Sequence, residues 1–184
     1  MIAGLIAAGP VVTDGAWGTQ LQARGLQPGD CPDEWNLTRP AAVEEVARAY
    51  VEAGSRVILT NTFRANRVTL AGHGLAGKTV EINRAGAAIS RRAAGDRAKV
   101  FASIGPSGKM LMAGETSEEE LREAFLEQAA ALRAGGADAL VVETMSDLTE
   151  ARIALEAAKT TGLPVVACMV YDSGRNKDRT MMGV

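Results

Sequence analysis

Several polar residues follow the apolar runs of this sequence, at the points where β-strands would end. They are Asp14, Gly15, Thr60, Asn61, Thr62 and Glu143. In parallel α/β folds, ligands bind at the carboxyl ends of the strands, so we expect these residues to converge on one rim of the fold. Two carboxylates and an amide on one rim could bind a small polar ligand.

Glu143 carries the clearest chemical signal, because it directly continues the apolar run Ala139–Val142. It is expected to be largely buried, where an unpaired carboxylate costs several kcal/mol. No Lys or Arg stands at the equivalent strand ends, so the amino group of a ligand is a suitable partner. Backbone N–H groups around Asp14 and Gly15 could donate to a ligand carboxylate. An amino-acid ligand satisfies both demands, although Asp14 taken alone is equally well explained by an ordinary Asp-Gly turn.

Apolar runs rich in β-branched residues alternate with helical patterns along the chain. We predict strands at Val11–Thr13, Arg56–Thr60, Val100–Ile104, Ala139–Val142 and Val165–Val170. We predict helices at Ala41–Ala53, Val80–Ala94, from the capping box of Ser117 and Glu120 to Gly135, and at Ala151–Lys159, with a helical turn at the N-terminus. Helices long enough for right-handed crossovers predict a parallel sheet.

The repeat of roughly 40 residues favours a (β/α)₈ TIM barrel. Residues 1–184 would form a single, incomplete domain that supplies about the first five βα units. A doubly wound open sheet fits the alternation nearly as well. The turn Asp14–Thr19 argues against its dinucleotide-binding version, since it is not G-x-G-x-x-G and Trp17 would crowd a pyrophosphate.

Composition narrows the classes of partner. The chain has 20 basic and 22 acidic residues and no basic stripe, so nucleic acid and membranes are not expected as partners. No Lys or Arg precedes the apolar N-terminus, so we expect a cytoplasmic protein without a signal peptide. Cys168 is expected in the core and Cys31 in a loop where it could be exposed; they form no CxxC pair.

Six short strings resemble, in order and spacing, the homocysteine S-methyltransferase family. They are Asp14–Thr19, Asn36–Pro40, Tyr50–Gly54, Thr60–Asn66, Ser103–Pro106 and Glu143–Thr144. The resemblance is closest to the homocysteine-binding barrel of cobalamin-dependent methionine synthase and its bacterial single-domain relatives, and it covers essentially the whole chain.

The resemblance implies a zinc-dependent transfer of a methyl group to the thiol of homocysteine, forming methionine. It implies that Asp14 and Gly15 receive the amino-acid end of the substrate, that Glu143 holds its amino group, and that Thr60–Thr62 line the site. Zinc would bind the substrate sulfur and stabilise it as a thiolate at neutral pH.

The sequence departs from the family at the metal. The family's zinc ligands are three cysteines, one after the sixth strand and an adjacent pair after the eighth, and neither Cys31 nor Cys168 matches them. We therefore expect no metal site in this chain, with the ligands beyond Val184 and the remainder of the barrel in the same polypeptide or in another chain.

The methyl donor is not identified by the sequence. His73 does not stand in a D-x-H-x-x-G motif, so any cobalamin would be carried by a partner domain or protein. Two other functions fit the residues. The chain could be a methyltransferase subunit that works with a separate corrinoid protein on another substrate, or a non-catalytic half-barrel for binding or assembly.

Overall fold

Helices and parallel strands alternate in the computed structural model, which describes residues 1–7 and 9–183. The helices are α1 (Ile2–Ile6), α2 (Trp17–Gln22), α3 (Trp35–Thr38), α4 (Pro40–Glu52), α5 (Arg67–Ala71), α6 (Thr79–Ala94), α7 (Glu118–Ala134) and α8 (Leu148–Lys159). The strands are β1 (Val57–Ile58), β2 (Lys99–Ile104), β3 (Ala139–Met145) and β4 (Val165–Met169). None of the described helices is long and apolar enough to cross a membrane.

The four strands form one parallel sheet in the order β1-β2-β3-β4. Each strand therefore pairs with the next strand in the chain, which is the arrangement of a barrel wall. A doubly wound sheet would instead reverse its order at a switch point. The sequential order favours the first of the two architectures that fit the sequence.

The predicted first strand, Val11–Thr13, is not formed as a strand. An isolated parallel bridge joins Thr13 to Val57, and the segment is also bonded through the Arg56 N–H, which donates to the Val12 carbonyl over 2.9 Å. The segment has little packing to hold it, since the side chain of Val12 is 63% exposed. The prediction of five regular strands was therefore wrong at this position, although the segment does lie beside β1.

The two faces of the sheet pack against different partners. Side chains such as Ile104, Leu140 and Val142 contact the apolar side of α7 and α8. On the other face, Phe101 and Val141 form an inner cluster that α1 partly covers. Burial on both faces explains why these strands appear in the sequence as continuous apolar runs.

The predicted helix boundaries agree closely with the structure because they depend on local hydrogen bonds. The Ser117 side chain accepts from the Glu120 N–H over 3.1 Å at the start of α7. The Asp147 side chain accepts from the N–H groups of Thr149 and Glu150 and begins α8. Gly54, at φ +101°, follows the end of α4. Helices α2, α3 and α5, each of six residues or fewer, were not predicted.

β3 is irregular at its carboxyl end. Val142 lies opposite Ala167 of β4 but Met145 lies opposite Met169, so β3 contains one extra residue. Thr144 adopts φ +61°, a left-handed conformation that costs a non-glycine residue about 1–3 kcal/mol. Because of the extra residue, Met145 packs on the helix side of the sheet with Leu140 and Val142. A regular strand would turn its side chain to the inner face.

Gly105 allows the loop after β1 to approach the end of β2. Its N–H donates to the Phe63 carbonyl over 2.9 Å, and a Cβ at Gly105 would lie 2.5 Å from that oxygen and 2.5 Å from the Phe63 ring. We predict that Gly105→Ala lowers the free energy of unfolding by about 1–3 kcal/mol, because the new methyl group overpacks a backbone contact.

Urea unfolding of the two proteins measures this difference. Gly77→Ala is the matched control, because a Cβ there meets nothing within 4 Å and the backbone does not have a positive φ. Its stability should stay within about 0.5 kcal/mol of the wild type. Equal losses in both variants would contradict the packing explanation.

Candidate functional site

Two adjoining cavities lie at the predicted rim. We call the first the rim cleft: it has a volume of about 380 Å³ and is lined by residues 15–18, 32–33, 59–61, 63–64, 103 and 143. The second, the interior cavity, has a volume of about 500 Å³ and lies against the inner face of the sheet. Gly15, Leu59 and Glu143 line both.

The structure brings five of the six predicted residues to these cavities. Thr60 and Asn61 line the rim cleft, Asp14 lines the interior cavity, and Gly15 and Glu143 lie between the two. Thr62 is fully buried behind the cleft wall. The predicted convergence on one rim is therefore present in the geometry, and the part each residue plays toward a ligand stays a prediction.

Glu143 is placed by its neighbour in the sheet. Its side chain is half-buried rather than largely buried, and its Oε1 accepts from the Ser103 hydroxyl over 2.5 Å. No ion pair within residues 1–7 and 9–183 involves Glu143. The cleft therefore contains an oriented carboxylate for which these residues supply no cationic partner.

Asp14 holds the turn that forms one side of the cleft. Its Oδ2 accepts from the Leu59 N–H over 2.7 Å and from the Trp17 indole N–H over 2.8 Å. Burial raises the pKa of Asp14, these hydrogen bonds oppose that rise, and the charge of Glu143 adds to it. One oxygen of the carboxylate is thus committed to joining the turn to the end of β1.

The backbone beside Asp14, which lines the cleft, has two unused donors. The N–H groups of Gly15 and Ala16 make no hydrogen bond within the described part of the chain. Tyr50 packs against this turn, since its hydroxyl donates to the Ala16 carbonyl over 2.9 Å and would lie 3.2 Å from a Cβ at Gly15. These two donors stand at the N-terminus of α2, where the helix favours an anionic partner.

Thr60 and Thr62 hold together the strand ends that surround the site. Their hydroxyl groups lie 2.5 Å apart. The Ser103 N–H donates to Thr60 Oγ1 over 3.0 Å, and Thr62 Oγ1 donates to the Ser103 carbonyl over 2.8 Å. These bonds fix the end of β1 beside the end of β2.

Asn61 holds the opposite wall in a similar way. Its side-chain amide donates to the Pro32 carbonyl over 2.7 Å and to Asn36 Oδ1 over 3.1 Å. In return, the Asn36 amide donates to the Asn61 carbonyl over 2.7 Å. The side chain of Asn61 is only 5% exposed, so its main contacts are with segment 32–36.

Asp33 is a cleft residue that the sequence reasoning missed. It is 1% exposed, and its Oδ1 accepts from the Arg64 N–H over 3.2 Å. Burial raises its pKa to about 6, and the Arg64 N–H opposes that rise. Its signal in the sequence was the pair Pro32-Asp33, which is typical of the first turn of a helix and here opens the 3₁₀ turn Pro32–Glu34.

The two cysteines lie contrary to expectation. Cys31 is buried among the residues of the 65–82 region, whereas Cys168 is exposed because it faces the interior cavity. Among the described residues there is no group of three or more His, Cys, Asp or Glu side chains that could hold a metal ion. The side chains of residues 1–7 and 9–183 therefore do not fit a zinc ion.

Comparisons of sequence point to one family. Residues 11–184 match the model of the homocysteine S-methyltransferase family. The chain is 38% identical over 157 residues to a methionine synthase of Mycobacterium tuberculosis and 36% identical over 157 residues to one of Mycobacterium leprae. Each match covers 79% of this chain but only 13% of the relative, so the chain spans about an eighth of the length of these proteins.

Comparisons of structure confirm the fold class. The metallated form of the homocysteine methyltransferase MmuM from Escherichia coli superposes with a TM-score of 0.83 over 100% of this chain and 70% of that one, at 22% identity. The oxidised form gives a TM-score of 0.80 over 99% of this chain and 69% of that one. The chain therefore has the fold of part of a (β/α)₈ barrel, as predicted.

Asp33 yields a prediction about pH. The ordinary aspartate pKa is 3.8, so between that value and about 6 the unfolded chain binds fewer protons at this residue than the folded chain does. Asp33 therefore makes the free energy of unfolding fall as the pH rises through this window, and the whole penalty is present above it. We expect Asp33→Asn to be more stable than the wild type at pH 8 by about 1–3 kcal/mol, with the difference shrinking towards pH 4.

Urea unfolding at pH 4, 6 and 8 measures this difference between the two proteins. Asp96→Asn, at an exposed position, is the matched control for the loss of one carboxylate. An Asp33→Asn difference that is the same at every pH would contradict the raised pKa.

Proposed function

Because the chain belongs to the homocysteine S-methyltransferase family, we propose that it binds homocysteine as part of an enzyme that methylates the thiol to form methionine. The observation that carries this proposal is the Glu143 carboxylate, oriented in the rim cleft with no cationic partner among the described residues. The sequence similarity to two methionine synthases supports the same reaction.

Glu143 receives the ammonium group of the substrate in this proposal. Its Oε1 is held by Ser103, and the carboxylate retains further acceptor sites for charge-assisted hydrogen bonds from the ammonium. A ligand cation also removes the cost of a half-buried, uncompensated negative charge. Binding is therefore specific for a ligand that carries an amino group.

The substrate carboxylate binds at the turn that follows Val11–Thr13. The N–H groups of Gly15 and Ala16 donate to it, and Asp14 keeps those donors in place through its bonds to Leu59 and Trp17. The acidic side chain of Asp14 itself does not contact the substrate carboxylate, because the two negative charges would repel. Thr60, Asn61 and Thr62 hold the surrounding walls, through Ser103 for the threonines and through segment 32–36 for Asn61.

The thiol chemistry depends on groups other than those described above. The family resemblance implies zinc held by three cysteines that neither Cys31 nor Cys168 matches, and the described side chains do not provide a substitute for them. For the whole enzyme, the same proposal includes three further components: a methyl donor, cobalamin carried by a partner domain or protein, and the remainder of the barrel. The residues of this chain bind and orient the amino-acid end of the substrate.

Replacing Glu143 tests the binding role directly. We expect Glu143→Gln to weaken L-homocysteine binding by about 1–3 kcal/mol, because the amide loses the charge that pairs with the ammonium group. Isothermal titration calorimetry measures the affinity. Glu119→Gln, on the exposed first turn of α7, is the control and should bind as the wild type does. Unchanged affinity in Glu143→Gln would remove this residue from the site.

Metal analysis tests the assignment of the zinc ligands. We expect well below one zinc ion per chain after dialysis against buffer, and no change in melting temperature on adding EDTA, since the described residues offer no three-ligand group. Elemental analysis by mass spectrometry gives the ratio. One zinc ion per chain would contradict the assignment, and Cys31→Ser and Cys168→Ser would then show which thiol binds it.

A further inference from the structure

The backbone of Thr144 is unusual for this chain. Twelve glycines have a positive φ, whereas only Thr144 and Lys177 do so among the other described residues. Glycine adopts this conformation without strain, and a β-branched residue adopts it least readily. A threonine therefore occupies a position where glycine would fit more easily, and this position directly follows Glu143.

The extra residue of β3 separates two side chains that face opposite sides of the sheet. Val141 lies in the inner cluster and Val142 on the helix side, as alternation requires. Glu143 then faces the rim cleft and the interior cavity, while Met145 returns to the helix side. Both orientations are possible together only because Thr144 lies between them in a left-handed conformation.

The regular pairing of β3 is interrupted at Thr144. The pairing between β2 and β3 ends at Ile104 and Val142, so Thr144 lies beyond the residues of β3 that pair with β2. On the other side, the Val170 N–H donates to the Met145 carbonyl over 2.8 Å. The Glu143 side chain is thus held by the hydroxyl group of Ser103, and the left-handed residue Thr144 directly follows it in the chain.

We propose that Thr144 is a positioning residue for Glu143: the bulge at Thr144 aims the Glu143 carboxylate at the ammonium group of an amino-acid ligand. The branched side chain limits the conformations open to this peptide, whereas glycine would allow many more. Strained residues of this kind persist where the surrounding structure holds them and are found at ligand-binding sites. This inference rests on the proposed function, because it takes Glu143 as the group that binds the ammonium.

The test compares Thr144→Gly with Lys177→Gly, the other positive-φ position, which lines neither cavity. Two ligands are titrated by calorimetry: L-homocysteine, and 4-sulfanylbutanoate, which lacks the amino group. For Thr144→Gly we expect a melting temperature no lower than that of the wild type. We expect its affinity for homocysteine to fall about 3- to 10-fold, with the affinity for 4-sulfanylbutanoate unchanged. Lys177→Gly should keep both affinities.

Three results would overturn the inference. Thr144→Gly could bind homocysteine as the wild type does, even though Glu143→Gln binds it weakly; the proposed function would then stand and the inference would fail. Equal losses of affinity for both ligands would show that Thr144 serves the fold alone. A loss of the same size in Lys177→Gly would show that the effect is not local to Glu143.

A failure of the proposed function is recognised separately. In that case the wild type does not prefer homocysteine over 4-sulfanylbutanoate, and crystal structures of the wild type and Thr144→Gly decide the inference. A Glu143 carboxylate displaced from Ser103 only in the variant would support the positioning role. A carboxylate that stays beside Ser103 in both would overturn it.

Discussion

Ser103 connects three strand ends through three different groups. Its N–H donates to Thr60, its carbonyl accepts from Thr62, and its hydroxyl donates to Glu143. The regular pairing between β1 and β2 covers only two residue pairs and ends at Val100 of β2. Side-chain hydroxyl groups then replace the backbone ladder, each bond contributing about 0.5–1.5 kcal/mol and the bond to the carboxylate more. The end of β1 and the main carboxylate of the cleft are therefore both held by one residue.

The cleft brings together carboxylates whose burial is electrostatically unfavourable. Asp14 and Asp33 both have a raised pKa, with burial as the main cause, and Glu143 adds a third carboxylate nearby. None of the three takes part in an ion pair of the described chain. Backbone N–H groups of Leu59 and Arg64 offset part of the cost for the two aspartates. Glu143 has only the Ser103 hydroxyl, which is why we propose that the ligand ammonium binds at this position.

Sequence reasoning succeeded where the cause is local. Caps at Ser117 and Asp147 and the glycine at Gly54 act within one helical turn, so the helix ends could be predicted to within a few residues. Polar residues at strand ends indicated Asp14 and Glu143, which do line the cavities, and their role toward a ligand stays a prediction. The errors involve long-range packing. Cys168 is exposed because of the cavity that its strand faces, and Asp33 is buried by contacts with the Arg64 loop.

The site lies where regular secondary structure stops. Beyond β1, threonine hydroxyl groups replace the backbone pairing. Beyond Val142, an extra residue shifts the register of β3. Beside Thr13, an isolated bridge is present instead of a strand. A regular ladder would pair every N–H with a carbonyl group and leave no donor for a ligand. The N–H groups of Gly15 and Ala16 remain available because the chain turns away from β1 at Asp14. The irregular ends cost stability, and the same irregularity makes polar groups available to a ligand.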